Sequence, residues 1–135
     1  MSIPYKYSMY EGTQLHESTE LNKYKEVKGI LSFADRELLF EYKVYDAYGN
    51  GISNLSKFAI QLDNIKSIQY KKGFLFTGGK LIIKANQWAF FEPLPGSDQG
   101  VIKLNIKRRD RSEAIRMSTK LNLYMSQQRL DDMDE

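Results

Sequence analysis

The chain has 135 residues, 41% of them hydrophobic and 13% aromatic, which fits one compact domain with a single core and excludes a disordered chain. Lysine and arginine number 20 against 17 aspartates and glutamates, a net charge of +3 that permits contact with acidic lipid or nucleic acid without demanding it. The absence of cysteine excludes a disulfide framework, a thiolate nucleophile and a cysteine-ligated metal.

Residues 1–22 carry the weakest pattern. The opening MSIPYKYSMY mixes tyrosines and methionines with polar residues. It lacks the long apolar run of a signal peptide, and no stretch of the chain reaches the length of a membrane span. The expected reading is an N-terminal arm or an extra edge element. The expected location is cytoplasmic, with the membrane periphery as its extension.

Residues 23–33 and 37–46 form a first hairpin joined by Ala34-Asp35-Arg36. In its second strand Leu38, Phe40, Tyr42 and Val44 share one face, and Leu39, Glu41, Lys43 and Tyr45 the other. Residues 46–56, rich in Gly, Asn and Ser, read as a loop. The stretch 58–85 then organises the chain as three strands in succession. Phe58, Ile60 and Leu62 fall on one face of the first, Ile68 and Tyr70 on one face of the second, and Leu81, Ile83 and Ala85 on one face of the third. Such period-two alternation marks half-buried strands. Asp63-Asn64 supplies a bend between the first two, and Thr77-Gly78-Gly79 supplies positive φ for the hairpin between the last two.

Residues 87–92, QWAFFE, read as a further strand, ended by Pro93-Leu94-Pro95-Gly96. The last strand is 101–107, with Ile102, Leu104 and Ile106 on one face. A helix follows. Asp110 and Glu113 have the spacing of a capping box, and Ala114, Met117, Leu121, Tyr124 and Met125 form an apolar stripe. Residues 130–135 turn acidic, which opposes the helix dipole and predicts fraying. The predicted class is mainly β: a bent antiparallel sheet or barrel of about seven strands capped by one C-terminal α-helix, with the domain proper spanning 23–129.

Seven short strands followed by one amphipathic helix resembles the element order of the pleckstrin-homology-like superfamily. Gly29-Ile30-Leu31 with Glu37-Leu38-Leu39-Phe40 resembles the first hairpin of its GRAM and bacterial members. Ile60-Gln61-Leu62-Asp63-Asn64-Ile65-Lys66-Ser67-Ile68 resembles their strand pair, Leu81-Ile82-Ile83 their fifth strand, and Arg109-Asp110-Arg111 through Ala114 the entry to their closing helix. The likeness covers roughly residues 24–126 and rests on hydrophobic patterns. Eukaryotic members that bind phosphoinositides cluster Lys and Arg around the first hairpin loop and place a Trp in the closing helix. Here that loop is Ala34-Asp35-Arg36 followed by Glu37, and the single Trp, Trp88, falls on the expected strand 87–92. Both departures point to the GRAM-like or bacterial branch, whose members are mostly binding or docking modules.

No reactive constellation can be named. The single His16 lies in a polar segment beside Glu17 and reads as solvated. GFLFTGGK at 73–80 fails as a phosphate loop, because its spacing is wrong and Leu81 stands where a Ser or Thr would hold Mg²⁺. No catalytic, cofactor or metal residue is therefore assigned, and a non-enzymatic binding module is expected. Its first candidate contact is Tyr70-to-Lys80: Lys71, Lys72 and Lys80 around Phe74, Leu75 and Phe76. As a protruding turn it would meet a protein partner or an anionic bilayer; as an extended strand, the favoured reading, it would bury Phe74 and Phe76 in the core. The second candidate is an anion contact at Lys107, Arg108, Arg109 and Arg111, weighed against an ordinary charged corner. Residues 90–95, FFEPLP, read as a plain loop or a partner-facing edge. The alternative functions are a homo-oligomeric subunit assembling through an exposed sheet edge, and weak nucleic-acid binding through Lys107 to Arg111, without an accompanying stacking motif.

Overall fold

A computed structural model describes residues 1–10, 24–75 and 77–133. Seven antiparallel strands form one sheet: β1 (Ser2–Tyr10), β2 (Tyr24–Ala34), β3 (Glu37–Asp46), β4 (Ser56–Gln61), β5 (Ile65–Lys71), β6 (Gly79–Ala85) and β7 (Val101–Ile106). A C-terminal helix, α1 (Arg111–Met133), follows. The strand order is β4-β3-β2-β1-β7-β6-β5. Burial follows the period-two pattern in every central strand. Leu38, Phe40 and Tyr42 of β3, Leu81, Ile83 and Ala85 of β6, and Ile102, Leu104 and Ile106 of β7 all face the core. The helix lays Ala114, Met117, Ser118, Leu121 and Met125 on that core, a stripe at helical spacing. Tyr124, expected on the stripe, lies at its margin, tilted against the Phe33 ring at 5.8 Å between centroids.

The hairpin β2–β3 forms as expected. Its two-residue turn places Asp35 and Arg36 in the left-handed region, at φ 53° and 62°, a geometry that matches the twist of the flanking strands. Arg36 is held there from outside. Its guanidinium donates to Asp63 Oδ1 at 3.4 Å and to Gln128 Oε1, and its carbonyl accepts from the Leu62 N–H at 2.8 Å. In the loop after β3, Asp46 Oδ1 accepts from the N–H groups of Asn50 and Tyr48, each at 2.9 Å. These bonds, the one from Asn50 foremost, hold its carboxyl below the usual carboxylate range.

Four expectations are corrected. Residues 1–10 are neither arm nor edge: β1 lies in the middle of the sheet, paired with β2 from Ser2↔Ser32 to Tyr10↔Tyr24. Ile3, Tyr5 and Tyr7 are buried, and the two phenols find partners, Tyr7 Oη donating to Pro95 O at 2.5 Å and Tyr5 Oη to Glu41 O at 3.4 Å. Burial pushes both phenol pKa values well up. Residues 87–92 form no strand; Trp88–Phe91 is a 3-10 turn that plugs Phe91 into the core. Leu94 follows it inward, so FFEPLP is core filling rather than a partner-facing edge. The total of seven strands therefore stands, with β1 in place of 87–92.

The third correction is the helix entry. A 3-10 turn, Arg108–Asp110, runs straight into α1, with the Asp110 N–H bonded to the Lys107 carbonyl at 2.9 Å. Glu113 pairs with Arg116 at 2.8 Å, and Asp110 Oδ2 is buried without a partner among the described residues, so no capping box forms. The helix then continues to Met133, into the stretch where fraying was expected. The fourth concerns Gly78 and Gly79, neither of which has positive φ; among the described residues of that connection the left-handed one is Leu75, at φ 52°. The glycines are needed for space. A Cβ at Gly78 would sit 2.0 Å from Ile106 O, and one at Gly79 2.4 Å from both Lys71 O and Tyr70 Oη.

Candidate anion-docking face

The β5–β6 connection projects from the sheet. Phe74 is 79% exposed, so the core reading of this segment fails for it, and Leu75 beside it is 69% exposed. The reason is local. Gly73 packs against the Gly78 carbonyl, where a Cβ would come within 1.7 Å, and Thr77 closes the turn onto Phe74 O through its N–H (3.0 Å) and its hydroxyl (2.6 Å). The chain folds back before a strand can continue, and the apolar side chains are carried outward. Lys71, Lys72 and Lys80 are exposed around them, with Lys71 directly opposite Lys80 in the ladder. Phe76 and His16 lie outside the described residues.

The second predicted cluster comes to the same place. Gly78 lies against the backbone of Ile106 and Arg108, so the root of the tip abuts the β7–α1 corner. Between them is a crevice of about 460 Å³ bordered by Lys6, Lys80, Lys107 and Arg108. Arg109 is exposed and Arg111 half-buried at the corner; neither borders the crevice.

One feature of this face has no counterpart in the linear pattern. Lys71 is opposite Lys80, Lys80 opposite Asn105, Asn105 opposite Lys6, Lys6 opposite Lys28 and Lys28 opposite Lys43. Five lysines and one asparagine thus form a single row across six strands, all five lysines exposed. Strands β5, β6, β7 and β1 contain Lys66, Lys71, Lys80, Lys84, Lys103 and Lys6 and no Asp or Glu. None of these lysines is in a salt bridge among the described residues; the only ion pairs there are Arg36–Asp63 and Arg116–Glu113. Lys28 is partly relieved by the Tyr45 ring, 5.1 Å from its Nζ.

Like charges directly opposite in a ladder destabilise it, by roughly 0.2–1 kcal/mol per pair before salt screening. Lys80→Glu is therefore expected to raise stability slightly, by turning the Lys71 contact attractive. Urea unfolding at low salt checks this, and a variant less stable than the parent would contradict the like-charge argument.

The free edges of the sheet are β4 and β5. On β5, Asn122 Nδ2 donates to Ile68 O and Arg129 Nη2 to Lys66 O, both at 3.0 Å. Helix side chains thus occupy edge carbonyls that a second copy would need for strand addition. Among the described residues no group of three or more His, Cys, Asp or Glu stands close enough to hold a metal. Among the described residues, no helix is long and apolar enough to cross a membrane. In comparison with known proteins, no family model, no curated protein and no solved structure matches this chain.

Proposed function

We propose that this chain is a non-enzymatic binding module of pleckstrin-homology-like type that docks on an anionic membrane surface through the β5–β6 tip. The superfamily reading is supported by the order of elements, seven antiparallel strands closed by one C-terminal helix. The docking reading is carried by one observation: Phe74 and Leu75 stand exposed, and Lys71, Lys72 and Lys80, on the segments that flank them, are exposed too. Burying the two apolar side chains would contribute about 1.5–3 kcal/mol each. Three lysines near an anionic surface would add about 1 kcal/mol each. The sum, about 6–9 kcal/mol, corresponds to affinities near the micromolar range before ordering costs.

Co-sedimentation with vesicles of phosphatidylcholine containing phosphatidylserine tests it. Binding is expected with the anionic lipid and not with phosphatidylcholine alone, and it should weaken with salt. The double variant Phe74→Ser/Leu75→Ser should lose at least tenfold in affinity, and Lys71→Glu/Lys72→Glu should lose binding altogether, both with unchanged circular dichroism. Binding that ignores the charge reversal would remove the membrane reading.

A further inference from the structure

We infer that the outer face of β5, β6, β7 and β1 is a second binding site, one that holds a single-stranded nucleic acid by its phosphodiester chain. This inference does not depend on membrane docking by the tip. It starts from a weak seam in the sheet. β1 and β7 are neighbours, yet their ladder consists of the single pair Lys6↔Asn105. No further pair joins the two strands, and a groove of about 780 Å³ opens beside Tyr7 and Ser8 of β1. Its floor is the outward face of β7, β6 and β5. One wall is the 96–99 loop, fixed by paired backbone bonds between Asp98 and Val101 at 2.9 and 3.0 Å.

The lining has a distinctive chemistry. Lys71, Lys80, Lys84 and Lys103 reach the groove, and among the described residues Asp98 on its wall is the one carboxylate that borders it. Gln69, Asn105 and Ser8 lie among the lysines, and Ile82 with Val101 gives the floor an apolar strip. Neighbouring strands are about 4.8 Å apart, and same-face residues along a strand about 6.7 Å. The lysines therefore form a two-dimensional field of positive charge, dense in one direction and spaced in the other.

Three features select the occupant. The site is concave and walled, so a flat bilayer cannot follow it, whereas a flexible chain can lie in it. Its positive charges are all lysines, compact point donors without the planar fork that favours carboxylates, so nothing in the groove selects an acidic peptide. The amide and hydroxyl side chains and the apolar strip suit the sugars and base faces that accompany phosphates. Tyr7 is the one aromatic residue that borders the groove among the described residues, and it is buried, so the contact would be to the phosphate chain and largely indifferent to sequence.

Fluorescence anisotropy of the full chain with a labelled, mixed-sequence single-stranded RNA of about twelve nucleotides is the direct test. If the four groove lysines each neutralise a phosphate, the slope of log affinity against log salt should be about −3, an affinity loss of roughly fifty-fold between 50 and 200 mM salt. Lys84→Glu/Lys103→Glu should weaken RNA binding at least tenfold and leave vesicle binding intact, because Lys84 lies about 13 Å along β6 from Lys80 and the tip. Phe74→Ser/Leu75→Ser should do the reverse. Lys84→Gln/Lys103→Gln, which only removes charge, guards against a folding artefact and should also weaken RNA binding. Absence of RNA binding at 50 mM salt, a salt-insensitive affinity, unchanged binding by the groove variants, or equal competition by polyglutamate would each overturn the inference. Since the tip variants are read on vesicles and the groove variants on RNA, either proposal can fail while the other stands.

Discussion

Deletion of residues 1–10 is expected to abolish folding rather than trim a terminus. β1 is the strand on which the two parts of the sheet meet: it pairs along its length with β2 and touches β7 through Lys6↔Asn105. Its loss would leave β2 with a bare edge and β7 joined to β6 alone. It would also remove Ile3, Tyr5 and Tyr7 from the core. At about 1.5–3 kcal/mol per buried large side chain, the three together contribute about 5–9 kcal/mol. That is comparable with the whole stability of an ordinary domain, about 5–15 kcal/mol. The check is urea unfolding of the truncated chain followed by circular dichroism. A cooperative transition within about 1 kcal/mol of the full chain's would show that β1 is dispensable after all.

The physical reason β1 was hard to read also explains what was easy. Strands β6 and β7 set Leu81 and Ile83, and Ile102, Leu104 and Ile106, at alternate positions among Lys80, Lys84, Lys103 and Asn105, so their buried faces are explicit in the sequence. In β1 the inward positions are Ile3, Tyr5 and Tyr7, and two of these carry hydroxyls that a sequence reading leaves at the surface. They are buried because Pro95 O and Glu41 O lie within reach, and those partners are 88 and 36 residues away. Pro4 is unusual in a central strand, since proline cannot donate to a ladder. It is accommodated because β1 is unladdered to β7 except at Lys6. In QWAFFE the opposite happened: four apolar residues in a row offered no alternation, and burial of Phe91 decided for a compact turn.

The candidate site divides in the same way. The composition of the tip was legible, but its direction was not, because Phe74 and Phe76 sit two apart as they would on a strand. Close packing of Gly73 on Gly78, and of Gly78 on Ile106, turns the segment outward, and such contacts leave no trace in periodicity. The two basic clusters, some thirty residues apart in the chain, meet only because β6 pairs with β7 from Gly79↔Ile106 onward. The lysine row was invisible for a stronger reason. Each of its members is an ordinary outward lysine in its own strand, and only the register of six strands makes them one feature.

Phe40→Ala is expected to cost about 3–5 kcal/mol, the range for large aromatic truncations in a closed core. Phe40 is fully buried at the centre of an aromatic cluster that ties separate parts of the fold together. Its ring meets Tyr5 edge-on at 6.1 Å, Phe91 edge-on at 6.0 Å, and Phe58 tilted at 5.8 Å. One side chain on β3 thus contacts the central strand, the edge strand β4 and the 3-10 turn. The rings come from three elements besides β3 itself, so relaxation around the cavity would require several elements to shift together, which keeps the cost high. Phe58 provides the control. It is half-buried on β4, so Phe58→Ala should cost less, about 1–2 kcal/mol. Phe40→Leu, which keeps most of the volume but loses the edge-on geometry, should fall between them. Chemical unfolding of the three variants orders them directly. Equal losses at Phe40 and Phe58 would mean that the cluster is not centred on β3, and that the sheet is held on this side chiefly by its ladders.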